Sequence, residues 1–168
     1  LAVPSGIGQK VSLVDEVFSI RVNPGVNRAY IEGTLRDDGR LHKATSASSV
    51  LVLRSRALGN DVNGDLFVPE PAANVGVQLK PKHNGFELSS QPIRYEDTSW
   101  GQRDFMASTD ERFRPVDAKL GPDGALYIID MYRGVIQDIE FLSDELKQQI
   151  LQRELDKPVG LGRIWRIV

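Results

Sequence analysis

The chain has 168 residues, 40% hydrophobic and 26% charged, with a net charge of -2. That is enough for one globular domain with a core, and no basic excess points to nucleic acid. There are no cysteines, which excludes disulfides, thiolate metal sites and a thioether-attached haem within the chain. No apolar run approaches the ~18 residues of a membrane helix.

The first residues, "LAVPSGIGQ", have neither an initiator Met nor a signal peptide, and read as a processed or excised piece. Their "GIG" lacks the strand and helix of a nucleotide loop. Short strand patterns follow, separated by Gly, Asn, Asp and Pro: 27–33, 48–55, 65–71, 74–82 and 85–91. Residues 97–114, "DTSWGQRDFMASTDERFR", are polar and irregular and predict a long surface excursion. Strand patterns resume at 115–121, 125–131 and 162–168.

One segment breaks the β pattern. In "SDELKQQILQREL" (143–155), Leu146, Ile150, Leu151 and Leu155 have helical spacing. Ser143 is placed as N-cap, Asp144 and Glu145 suit the positive end of the helix dipole, and Pro158 and Gly160 stop it.

An offset of 60 residues lays "NGDLFVPEPAANV" (63–75) on "DGALYIIDMYRGV" (123–135). A turn glycine, an apolar strand and an acid at the strand end (Glu70, Asp130) recur together. Each unit reads strand, turn, strand, link, strand, with the helix inserted in the second link. That is the pattern of a β-propeller blade. At ~40–50 residues per blade the chain holds about three, fewer than the ~4–8 that close a propeller. The expectation is an all-β, single partial β-propeller domain over 1–168 with one inserted α-helix. Remaining blades or partner chains would complete it. A β-sandwich is the alternative.

Asp61, Asn63 and Asp65 alternate around Gly64, as in a calcium loop. The second copy keeps the glycine but has Gly121, Asp123 and Ala125 in their places. The EF-hand pattern fails at Leu66 and Ala72, and an acid-rich propeller loop fails at Pro69. A tight turn, with Asn63-Gly64 or Asp123-Gly124 in positive φ, accounts for the pattern more simply.

"FMASTDERFRPVDAKLGPDGALYIIDMYRGVIQ" (105–137) with "LDKPVGLGRIWRIV" (155–168) resembles the C-terminal blades of glucose/sorbosone dehydrogenase-like β-propeller proteins. Residues 23–45 and 64–80 are similar to the bacterial group in which the propeller precedes helical repeats and a haem-binding cytochrome c domain. The resemblance implies a six-bladed propeller in an exported protein, periplasmic or otherwise extracytoplasmic. It also implies dehydrogenation of a sugar or other alcohol, pyrroloquinoline quinone (PQQ) as cofactor and electron transfer to a c-type haem; calcium is a further candidate ligand from the Asp61 loop alone. The chain has no C-x-x-C-H, so the haem belongs to an absent domain. It has Asp138 where the group often has His, and the quinone-binding and base residues would lie largely in missing blades.

Within the chain, Asp130 is the candidate catalytic group, able to accept a substrate hydroxyl proton. Arg114 and Arg133 are the candidate cofactor-binding cations, able to hold carboxylates. Against this stand a structural ion pair or turn cap for Asp130 and Arg133, and a solvated loop for Arg114. Recurrence of the acid as Glu70 favours structure. Tyr132 and Trp165 could stack on a planar cofactor or pack between blades. His42 and His83 read as surface histidines, and no metal site is expected from them. The competing functions are a non-catalytic binding or scaffold propeller and a calcium-binding adhesion-type propeller.

Overall fold

The computed structural model describes residues 16–23 and 32–168. The architecture is all-β, with open antiparallel sheets and one α-helix, arranged as a partial, propeller-like structure. The first sheet joins β1 (Leu51–Val52), β2 (Leu66–Glu70), β3 (Val75–Asn84) and β4 (Glu87–Ile93) in sequence order. β5 (Tyr95–Asp97) and β6 (Gly101–Arg103) form a separate hairpin, and β7 (Met106–Ala107) returns to pair with β3. The second sheet runs β8 (Pro115–Leu120), β9 (Leu126–Asp130), β10 (Arg163–Ile167), again as a meander.

The internal repeat is preserved in register. Phe67 of β2 lies between Leu51 and Gln78. Tyr127 of β9 lies between Lys119 and Arg166 in the same way. Glu70 pairs with Val75 where Asp130 pairs with Arg163. β3 and β10 are therefore equivalent strands. Residues 71–74 link the first pair, whereas 131–162, carrying the helix, link the second. The sequence alignment of Val75 with Val135 does not hold, because Val135 lies in the inserted link.

β2 is apolar on both faces because both are covered. Val68, Val75, Val77 and Leu79 pack with Val17 and Leu41 on one side. Phe67 packs with Ala118, Leu126 and Ile128 of the second sheet on the other. A strand buried on both faces loses alternation and reads as a continuous apolar run. Phe105 meets Phe67 edge-on at 4.9 Å between ring centroids.

The expected strand at 27–33 lies largely outside the described residues, and Glu32 and Gly33 form a turn. Residues 48–55 pair only at Leu51–Val52. The expected surface excursion over 97–114 is corrected: it contributes β6 and β7, and Asp104, Phe113 and Arg114 within it are buried. Its buried polar side chains find partners outside the segment, Asp104 at Phe18 and Arg94 and Arg114 at Pro71, Arg133 and Gly134, so polarity alone misplaced it.

The helix, α1 (Asp144–Gln152), forms where its caps and period place it. The Leu146 amide donates to Ser143 Oγ at 3.3 Å. Leu146, Ile150 and Leu155 pack on Val135 and Leu142. Leu151, counted with the apolar stripe in the sequence, is 68% exposed, since it turns off the face set by the i,i+4 pair. No helix among the described residues is long and apolar enough to cross a membrane.

Candidate functional site

Residues at the ends of β2 and β9 meet around Arg114, which enters β8 just before Pro115. Arg114 is buried, and its guanidinium donates in three directions: Nη1 to the Pro71 carbonyl at 2.7 Å, Nε to Arg133 O at 2.9 Å, and Nη2 to Gly134 O at 2.9 Å. It thus ties the short link after β2 to the long link after β9. Burial pulls its pKa down to about 10, reinforced by Arg21 and opposed by Glu111, Glu70 and Asp130. It remains a cation at neutral pH.

Asp130 closes the same junction. It is 1% exposed. Its Oδ1 accepts from the backbone amides of Arg114 and Tyr132, each at 2.8 Å, and its Oδ2 accepts from Trp165 Nε1 at 3.1 Å. Glu70, its counterpart, is wholly buried and accepts from the backbone amides of Thr45 and Ser46 at 3.0–3.2 Å. Burial pushes the Glu70 carboxyl up to about 7, against the lowering effect of those amides and of Arg114. Each acid fastens an incoming loop onto the end of its central strand.

The structure therefore brings Arg114 and Asp130 together but points both at protein groups. Arg133 joins them only through its backbone carbonyl; its side chain is exposed at a groove of about 390 Å³ floored by Val135, Leu142, Ile150 and Leu151. Arg112 donates to the carbonyls of Glu154 and Lys157, tying the loop to the end of α1. The Arg163 guanidinium carbon stands 3.5 Å from the Tyr132 ring centroid, and Trp165 packs edge-on against Phe113. His42 bonds Glu16 at 2.9 Å, and His83 lies exposed on β3.

Several organising residues carried no motif in the sequence. Asn74, buried with φ 59°, accepts from Arg21 and donates to the Phe113 carbonyl. Arg21 pairs with Glu111 at 3.2 Å, and Glu111 also bonds Arg153 of the helix end. With Arg114 these line a crevice of about 30 Å³, room for a water or two. Asp104, fully buried, accepts from the Phe18 amide at 2.7 Å and pairs with Arg94. Burial raises it to about 6 despite that arginine. A positive-φ Asn between two strands was the one readable signal, since Asn tolerates that region.

The two implied ligands fit these residues poorly. A tricarboxylate quinone needs cations presented to it, and Arg114 is buried with Nε, Nη1 and Nη2 each donating to a backbone carbonyl. In the Asp61 loop the oxygens diverge: Asp61 and Asn63 are exposed, while Asp65 turns inward and accepts from Gln78 Nε2 at 2.6 Å. Gly64 and Gly124 have φ of 97° and 78°, the positive values of the expected turn. Among the described residues no three His, Cys, Asp or Glu side chains gather as metal ligands.

No curated protein and no solved structure matches the chain. One family profile matches residues 5–168, nearly the whole length, and the chain belongs to that family, described as a domain of unknown function (DUF7133).

Proposed function

We propose that this chain is the wall-forming segment of a dehydrogenase-like β-propeller. In the parent protein a sugar or other alcohol would lose hydride to a quinone, with electrons passing to a c-type haem in the periplasm. Here the chain supplies blades and a rigid axial junction, and the reacting groups lie outside it. The observation that carries this division is Arg114: a buried cation whose guanidinium donates to three backbone carbonyls has a strand-positioning role. The in-register repeat and the motifs over 105–137 support the dehydrogenase-like part of the reading.

A second reading, a non-catalytic binding or scaffold propeller, draws on the same engagement of Arg114 and Asp130 with protein groups. Quinone titration separates the two, read by absorbance and calorimetry with calcium present and then chelated. The parent protein is expected to bind stoichiometrically and the 168-residue chain not at all. Binding by the chain would overturn its role as wall; no binding by the parent would leave the scaffold reading.

A further inference from the structure

Arg133 is held by its backbone and left free at its side chain. Its carbonyl accepts from Arg114 Nε at 2.9 Å. Before it, Tyr132 has φ 49°, a region that a bulky residue rarely enters, and the Tyr132 amide is fixed by Asp130 Oδ1 at 2.8 Å. After it, Gly134 packs so closely that a Cβ there would stand 2.5 Å from the Leu155 carbonyl oxygen. The Arg133 guanidinium makes no hydrogen bond or ion pair among the described residues, and it lines the groove of about 390 Å³ beside α1. Backbone strain of this kind persists where the surroundings over-determine it, and ligand clamps are one such place.

The groove is mostly apolar. Val135, Leu142 and Ile150 line it together with Leu151. Leu151 is 68% exposed and lies off the face that packs α1, so packing does not account for a leucine there, whereas a groove wall does. Two further charges border the space. Lys147 pairs only at the surface, with Asp144 at 3.4 Å, and Asp156 is the one acid among the described lining residues. At the ~30 Å³ that a water occupies in the liquid, the groove has room for roughly a dozen non-hydrogen atoms.

We propose that this groove binds an aliphatic monocarboxylate of medium chain length, with the carboxylate on Arg133 and the alkyl chain against Leu142, Ile150 and Leu151. A guanidinium takes a carboxylate through two parallel N–H donors. An apolar lining with a few placed polar groups is the usual make-up of a small-molecule site. Asp156 repels a second negative charge, which favours a single carboxylate over a polyanion. The fixed backbone at 132–134 lowers the cost of ordering the site. The inference is independent of any quinone chemistry.

The probe is sodium octanoate, titrated into the whole chain and followed by NMR of its amide and methyl groups. Saturable shifts are expected at Val135, Leu142, Ile150 and Leu151, with β2 and β3 unmoved. Octanamide, of the same shape but uncharged, should bind about tenfold or more weakly, and Arg133→Ala should lose octanoate affinity by a similar factor with no change in thermal midpoint. Leu151→Gln, at an exposed position, should also weaken binding, and Asp156→Asn should tighten it. Octanedioate should bind less well than octanoate. Absence of a saturable shift, equal binding of octanamide and octanoate, or undiminished binding by Arg133→Ala would each overturn the site. So would a concentration-dependent dimer that covers the groove, since the occupant would then be a second copy.

Discussion

Glu70 and Asp130 occupy the same station in two sheets, each at the end of the central strand and each bonded to two backbone amides. The loops differ: Glu70 takes residues 45–46, before its own sheet, and Asp130 takes Arg114 at the entry to β8 and Tyr132 just after itself. Arg114 then reaches back to Pro71, one residue beyond Glu70, so the two fastenings are joined.

The first prediction separates the arginines. Arg114→Ala leaves the carbonyls of Pro71, Arg133 and Gly134 without their donor and should cost ~3–5 kcal/mol in urea unfolding, as breaking a buried charged network does. Arg114→Lys should not restore it, since one ammonium cannot span the fork. Arg133→Ala, at an exposed side chain, should change stability by no more than ~0.5 kcal/mol. Comparable losses for both would contradict the structural assignment.

The second concerns pH. Glu70 titrates at about 7 in the folded chain and near 4.5 when unfolded. Between those values the folded state keeps a proton that the unfolded state has lost. Stability therefore falls as pH rises through that window, by roughly 3 kcal/mol from this group, and is greatest below it. Asp104, raised from 3.8 to about 6, acts in the same direction over a lower window. Glu70→Gln should flatten the difference between unfolding midpoints at about pH 5 and about pH 8. An unchanged difference would remove Glu70 as its source.

A third test addresses the docking of α1. A Cβ on Gly134 would sit 2.5 Å from the Leu155 carbonyl oxygen and 2.8 Å from its Cβ. Gly134→Ala should cost ~1–3 kcal/mol, like other overpacking changes. Amide exchange should accelerate first in α1 and leave β2 and β3 protected, because the strain falls on the insertion.

The fourth concerns the loop at Asp61. Asp65→Ala should destabilise by ~1–3 kcal/mol by leaving the Gln78 amide without its acceptor in the core. Asp61→Ala, at an exposed side chain, should be near neutral. Thermal melts with millimolar calcium and with chelator should superimpose. A calcium-dependent rise abolished by Asp61→Ala would reinstate the metal loop.

Much of the fold was legible because its signals are local. Strand limits at β2, β8, β9 and β10 follow from apolar runs closed by Gly, Pro or an acid, and α1 from a cap and an i,i+4 pair. The candidate site was legible only as residue types. Asp130, Arg114 and Arg133 were singled out for their chemistry, and Arg114 and Asp130 meet at one junction that Arg133 joins only through its backbone carbonyl. Which of them faced solvent depended on where the carbonyls of Pro71 and Gly134 came to lie, and nothing in the local pattern encodes that.

The sequence alone determined the repeat, its turns and the inserted helix. These depend on period, propensity and backbone sterics within a few residues. Only the tertiary structure decided that the polar stretch 97–114 is partly core and that Leu151 faces out. Above all it decided that Arg114 and Asp130 are spent on the protein itself. A buried charge is defined by its partners, and here all but the Tyr132 amide come from segments 16 to 43 residues away.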